Sequence, residues 1–269
     1  MEVKRVKLIY FSPTKTTQKV LESIAKGIGA QDVEHFDLTL PEGAGQTITP
    51  FSEGDLVILG APVYGGRLPV VAIERFERIK AAGTLAVPVV LYGNREFEDA
   101  LLELKNLALE LGFQPVAGGA FVGEHSFETE DSPIAHGRPD GQDAQKAVDF
   151  GAKIKDKVAA LASPQALGEL EIPGRFPYEG GAMAMSISPV SLEEACTLCG
   201  TCATVCPTAA ITVEDSVVTE VELCIRCSAC IKNCPTGARV WEDARVLKMI
   251  DWLHDNCGAR KEPRVFGVG

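Results

Sequence analysis

Between residues 196 and 235 the chain carries one cysteine pattern twice. It reads Cys196-x-x-Cys199-x-x-Cys202-x-x-x-Cys206-Pro207, then Cys224-x-x-Cys227-x-x-Cys230-x-x-x-Cys234-Pro235, each cysteine 28 residues from its counterpart. Thiols at intervals of three can wrap one turn of backbone around a small inorganic core, and a cubane iron–sulfur cluster needs four thiolates converging on such a core. Structural zinc also uses C-x-x-C pairs, but it needs neither the third cysteine nor the proline. Disulfides fit less well, because no signal peptide is evident and a cytoplasmic setting keeps thiols reduced. The expectation is two [4Fe-4S] clusters. Gly200, Thr201, Ser228 and Ala229 are small enough to let backbone amides approach the cluster sulfurs. Cys257 is left over, a spare thiol.

The doubled motif resembles the signature of bacterial two-cluster ferredoxins. In that family the cysteine before each proline serves the other cluster. The resemblance therefore implies one ligand set of Cys196, Cys199, Cys202 and Cys234, and a second of Cys224, Cys227, Cys230 and Cys206. It also implies electron transfer.

At 269 residues the chain is far longer than such a module needs, so about two domains are expected. No apolar run approaches the ~20 residues of a membrane span, and a soluble, cytoplasmic protein is expected. The formal net charge of -11 disfavours nucleic acid as a partner. It suits docking to basic patches on redox partner proteins, or simply solubility. The sequence leaves oligomeric state open.

Upstream, buried-strand runs alternate with helical periodicity. Val6 to Phe11 leads into a helix with Val20, Ile24 and Ile28 on one face. Further strands are expected at 33–38, 56–61, 87–91 and 116–122, with helices near 70–80, over a stretch carrying Phe97, Leu101, Leu104 and Ala108, and around 144–161. Five strands separated by helices predict an α/β fold with a doubly wound five-stranded parallel sheet. Pro164, Pro173, Pro177, Gly174, Gly180 and Gly181 then break any element. The expected organisation is a cofactor-binding α/β domain over 1–163, a linker over 164–185, a small α+β two-cluster ferredoxin domain over 186–242, and a helix and closing segment over 243–269. Val246, Met249, Ile250 and Leu253 share one face of that helix, with Trp241 and Trp252 as packing anchors.

Ligands of doubly wound sheets bind outside the carboxyl ends of the strands. The first such loop, Ser12-Pro13-Thr14-Lys15-Thr16-Thr17, offers four hydroxyls before a helix start, which suits a phosphate. Ordinary helix capping is the plainer reading. Neither the P-loop nor the G-x-G-x-x-G pattern is present. Ser12-x-Thr14-x-x-Thr17 resembles the flavodoxin phosphate loop, with Lys15 where that family has glycine, and the resemblance implies FMN. Pro62-Val63-Tyr64-Gly65-Gly66 is similar to the loop that sets an aromatic ring and a glycine peptide beside the flavin. Tyr92-Gly93-Asn94-Arg95, with Phe97, is similar to the loop on its other side, and implies Tyr92 or Phe97 as a second stacking ring.

The order of modules resembles the flavodoxin-ferredoxin fusion proteins of anaerobes, helped by the GEHS segment at 123–126 and GRPD at 137–140. His125 then stands near the flavin or merely braces its loop, while Arg138 and Asp140 brace that loop and cap the next helix. His35, His136 and His254 lack companion ligands in sequence. Two functions remain: a carrier relaying electrons between partner enzymes, or an FMN-dependent oxidoreductase acting on a small substrate such as a quinone or an enoate. A flavin-free docking module is a third.

Overall fold

The computed structural model of the protein describes residues 1–48, 50–181 and 186–268. The apolar runs form β1 (Arg5–Tyr10), β2 (Asp32–Asp37), β3 (Asp55–Pro62), β4 (Leu85–Tyr92), β5 (Gln114–Pro115) and β6 (Gly118–Val122). Between them lie α1 (Thr16–Ile28), α2 (Pro41–Ala44), α3 (Val70–Phe76) and α4 (Ala100–Glu110), and α5 (Gly141–Ala160) follows. The strands run parallel in the order β2-β1-β3-β4-β6, with β5 pairing the start of β4. That order is the flavodoxin-like doubly wound sheet. β3 and β4 are buried along their whole length, as central strands covered on both faces must be. One core lies beneath α1 and α5, the other beneath α3 and α4.

The α1 and α5 helices touch backbone to backbone. A Cβ on Gly27 would stand 1.9 Å from the Val148 carbonyl oxygen. Rotamer changes cannot relieve a clash with backbone, so Gly27→Ala is expected to destabilise the protein by about 1–3 kcal/mol despite alanine's better helix propensity. Denaturant unfolding checks it; an unchanged midpoint would refute the close approach.

The cysteine-bearing region is a small α+β unit of β7 (Val190–Ser191), α6 (Thr201–Thr204), β8 (Ile211–Val213), β9 (Val217–Thr219), α7 (Ala229–Lys232) and β10 (Arg239–Val240), followed by α8 (Ala244–Asn256). Val246, Ile250 and Leu253 of α8 are buried as the periodicity requires, and Trp241 is buried, but Trp252 is 53% exposed.

Two features depart from the sequence reading. Arg264–Phe266 forms β11, which adds antiparallel to the β6 edge and makes the sheet seven-stranded and mixed. Beyond one 3-10 turn at Pro164–Ala166, the described residues of 164–181 form no helix or strand, yet the segment is strapped down. Its Arg175 and Glu179 amides donate to the two Asp99 carboxylate oxygens, Asn106 donates to the Tyr178 hydroxyl, and Leu170 is buried. Residues 182–185 of the expected linker, and Gly269, lie outside the described residues.

Candidate redox site

The two cysteine motifs fold alike. Left-handed backbone recurs at the same offset as the cysteines, at Leu198 and Arg226, Gly200 and Ser228, Ala209 and Gly237. One cavity is lined by Cys196, Cys199, Cys202 and Cys234, a second by Cys224, Cys227, Cys230 and Cys206. Donors converge on the sulfurs: the Ala210 amide lies 3.3 Å from Cys206 Sγ, and Thr208 and Thr236 hydroxyls lie 3.6 and 3.7 Å from Cys206 and Cys234. Burial pushes the Cys224, Cys227 and Cys230 thiols up, so a cation is needed to hold them as thiolates. Each cavity thus offers four sulfurs with N–H and O–H donors near them, a donor set that fits a cubane cluster.

At the loop after β1, Lys15 takes φ 61, the left-handed conformation for which glycine is usual, and its side chain is exposed. The loop keeps its shape without glycine. Ser12 donates its amide to Thr39 Oγ1 and accepts from the Gln18 amide at its hydroxyl, and Thr14 and Thr16 hydroxyls lie 3.1 Å apart. The Thr17 hydroxyl is buried without a hydrogen-bond partner among the described residues. A buried orphan hydroxyl at a helix N-terminus fits an anionic oxygen.

The other two loops fared unequally. Val63 and Tyr64 follow β3, and Gly65 and Gly66 close a tight turn with φ 62 and 83. Glu103, which the sequence reading passed over, fixes this turn by accepting from Arg67 Nε and from the Leu68 amide, each at 2.9 Å. Around β4, by contrast, Tyr92 and Phe97 pack on each other at 5.6 Å and are 3% and 1% exposed. Neither presents a face to a flavin, and the expectation of a second stacking ring there is corrected. Asn94 is equally committed: its amide donates to the Cys257 and Ala259 carbonyls and its oxygen accepts from the Lys261 amide. Arg95 pairs with Glu98.

His125 lies against Gly93, where an added Cβ would be 2.3 Å from the imidazole. Burial, then the Arg95 and Lys232 charges, lowers it to about 4. It is a neutral imidazole whose Nδ1 accepts from the Phe127 amide, so Nε2 carries the proton. Arg138 binds Asp143, and Asp140 caps α5 through a capping box, as expected of both.

The cysteine unit sits against the carboxyl edge of the sheet. Arg75 on α3 donates to the carbonyl of Pro207, next to Cys206, at 2.6 Å and to the carbonyls of Leu38 and Thr39. Since Thr39 also holds Ser12, one hydrogen-bonded chain joins the second cysteine cavity to the first loop. Tyr64 hydrogen-bonds Ser126 and lies close enough to Cys227 that burial and that sulfur together hold its phenol well above the ordinary value. Phe127 and Trp241 meet edge to face at 5.3 Å.

Lys232 on α7 pairs with Glu124 and Glu128, and His136 adds a further hydrogen bond to Glu128. Burial pushes the Glu124 carboxyl up, but the hydrogen bonds from Lys232 and the Gly137 amide, together with the Lys232 charge, outweigh it and the net direction is down. A depressed carboxyl contributes stability above its unfolded value and loses it as pH falls through the folded one. The difference in thermal midpoint between wild type and Lys232→Met is therefore expected to shrink as pH drops below the carboxylate range. A difference that is flat with pH would refute the pairing.

Residues 188–235 match the family model of the 4Fe-4S dicluster domain. A comparison with curated protein sequences returns no match. Among solved structures, oxidised Flavodoxin 1 from Bacillus cereus is 20% identical over 59% of this chain and 99% of its own, with a TM-score of 0.42. A flavodoxin from the domain Archaea is 14% identical over 58% of this chain and 99% of its own, at TM-score 0.40. The class is thus an iron–sulfur electron-transfer protein. In particular, this chain is a flavodoxin-like sheet followed by a 4Fe-4S dicluster domain, the module order of the flavodoxin-ferredoxin fusions. Among the described residues no helix is long and apolar enough to cross a membrane.

Proposed function

We propose that the chain is an electron carrier, holding two [4Fe-4S] clusters on the crossed cysteine sets and FMN at the carboxyl edge of the sheet, and relaying electrons between redox partner proteins. FMN accepts one or two electrons where a cluster exchanges one, so the pair converts between the two modes. The observation that carries the reading is the cavity that Tyr64 lines together with Cys224, Ile225 and Arg226, because it sets the loop proposed to flank the flavin beside the second cysteine set. Ser12 to Thr17 would hold the phosphate through amides and hydroxyls, with Thr17 supplying the buried donor. Pro62 to Gly66 would line one side of the ring, Gly93 and His125 its far end.

The test is kinetic. Rapid one-electron reduction of the clusters should be followed by flavin reduction at a rate independent of protein concentration; a rate that scales with concentration would end the internal relay. The flavin assignment has its own check. Thr17→Val removes an unpartnered buried hydroxyl and keeps the volume, so FMN binding should weaken by about 1.5–3 kcal/mol while the flavin-free protein loses no stability. Unchanged FMN affinity would sink the loop assignment.

A further inference from the structure

The two cysteine motifs are alike at almost every position that shapes the backbone, but they differ at one buried place. Five residues after the last cysteine of the first motif stands Ile211, and at the same point of the second stands Arg239. Ile211 is 8% exposed and packs among Cys202 and Cys230. Arg239 is 2% exposed, so a guanidinium has been placed where the other half of the repeat keeps an aliphatic side chain.

Its surroundings do not account for its charge. Nη1 donates to Ser191 Oγ at 3.0 Å, and Nη2 donates to the Pro189 carbonyl at 2.8 Å and to Thr219 Oγ1 at 2.9 Å. All three acceptors are neutral, and no carboxylate pairs with Arg239 among the described residues. Nε has no partner at all among them. A buried cation without a counter-charge costs several kcal/mol, and a buried N–H without an acceptor adds to that. The missing negative charge has an obvious place to be. Arg239 lines both cysteine cavities, and Nη2 lies 4.0 Å from Cys230 Sγ. Arg239 thus shares one cavity wall with Cys202 and the other with Cys230, one cysteine from each crossed set.

We infer that Arg239 is the shared counter-charge of the two clusters, its guanidinium raising the reduction potential of both. Reduction adds an electron to an already anionic thiolate-ligated cluster, and a fixed cation in a low-dielectric wall between two such clusters favours that step at each. The first motif, with Ile211, supplies no such charge, so one side chain serves both sites. Arg239 is a positioning and tuning residue rather than a ligand.

The inference rests on the two-cluster reading, and the experiment separates the two. Arg239→Met keeps the length and apolar stem and removes the charge. In the full chain with reconstituted clusters, iron content is measured first, then both midpoint potentials by redox titration followed by EPR. With full iron, the ratio of reduced to oxidised cluster at a given ambient potential should fall at least tenfold at each site, equivalent to 59 mV for a one-electron couple. Arg239→Lys should recover most of that shift. Full iron with unmoved potentials, or a lowered thermal midpoint alone, would make Arg239 a structural staple and overturn the inference. Iron for only one cluster in wild type would instead overturn the two-cluster reading. Should Arg239→Met hold no iron, protein labelled with 15N in its arginine guanidinium groups, on an Arg226→Lys background, decides the matter. Pulsed EPR of the reduced state should show a 15N coupling, and its absence would refute the placement.

Discussion

Cys234→Ala is expected to cut the iron content from about eight per chain to about four, and to do so by emptying the cavity of the other motif. Cys234 closes the cavity built by Cys196, Cys199 and Cys202, whereas its own motif's three other cysteines are completed by Cys206. The cluster that survives should therefore be the one on Cys224, Cys227, Cys230 and Cys206. The converse, Cys206→Ala, should spare the first set. Iron analysis gives the count, and combining each variant with a serine at Cys199 or Cys227 tells which set is loaded. Cys199→Ser added to Cys234→Ala should remove little further iron, while Cys227→Ser should remove the rest. The reverse outcome would mean that each motif ligates its own cluster.

The second large effect is expected from deleting residues 258–269. On its face this removes a short surface segment. Yet Asn94, 1% exposed, donates to the Ala259 carbonyl and accepts from the Lys261 amide, Arg138 donates to the Lys261 carbonyl, and Arg260 pairs with Asp140 at the N-terminus of α5. Arg264 lies over the Phe97 ring at 4.9 Å, and Lys157 donates to the Gly267 carbonyl at 2.6 Å. Losing partners for a buried amide costs about 1–3 kcal/mol per orphaned group. The edge strand and ion pairs add to it, and the total should be on the order of 3–5 kcal/mol, or roughly 10 °C in thermal midpoint. Calorimetry of the truncated protein reads this directly. A shift of only a degree or two would show that β11 merely decorates the sheet.

How much of this was legible follows from the kind of signal each part leaves. Cluster spacing is chemistry written in residue types, so Cys196 to Cys234 announce themselves. The parallel sheet was equally plain, because strands buried on both faces, such as Leu85–Tyr92, need continuous apolar runs. The strand Arg264–Phe266 could not be read, since three residues carry no period and an edge strand is specified by the edge it meets. Around β4 the error was of orientation. Tyr92 and Phe97 are aromatic and stand beside a ligand-binding edge, but residue type does not say which face a ring turns to, and both rings turn inward. Asn94 illustrates the same limit, as an amide suits a flavin or a backbone, and here distant carbonyls took it. Glu103, Arg75 and Lys232 left no local signal because their partners are remote in sequence.

The edge strand β11 also sets an order of events during synthesis. β6 and β11 are neighbours in the sheet, but the whole cysteine unit lies between them in the chain. A ribosome working at about 5–20 residues per second leaves β6 with a bare edge for on the order of ten seconds while both motifs emerge. Exposed edges recruit other strands. For the last part of that interval the cysteines are out, the sheet is unfinished, and the nascent chain is open to iron delivery and to aggregation at once. Only when residues 264–266 dock is the edge sealed, so the rate of chain elongation past the second motif becomes a variable in how much functional protein a cell recovers.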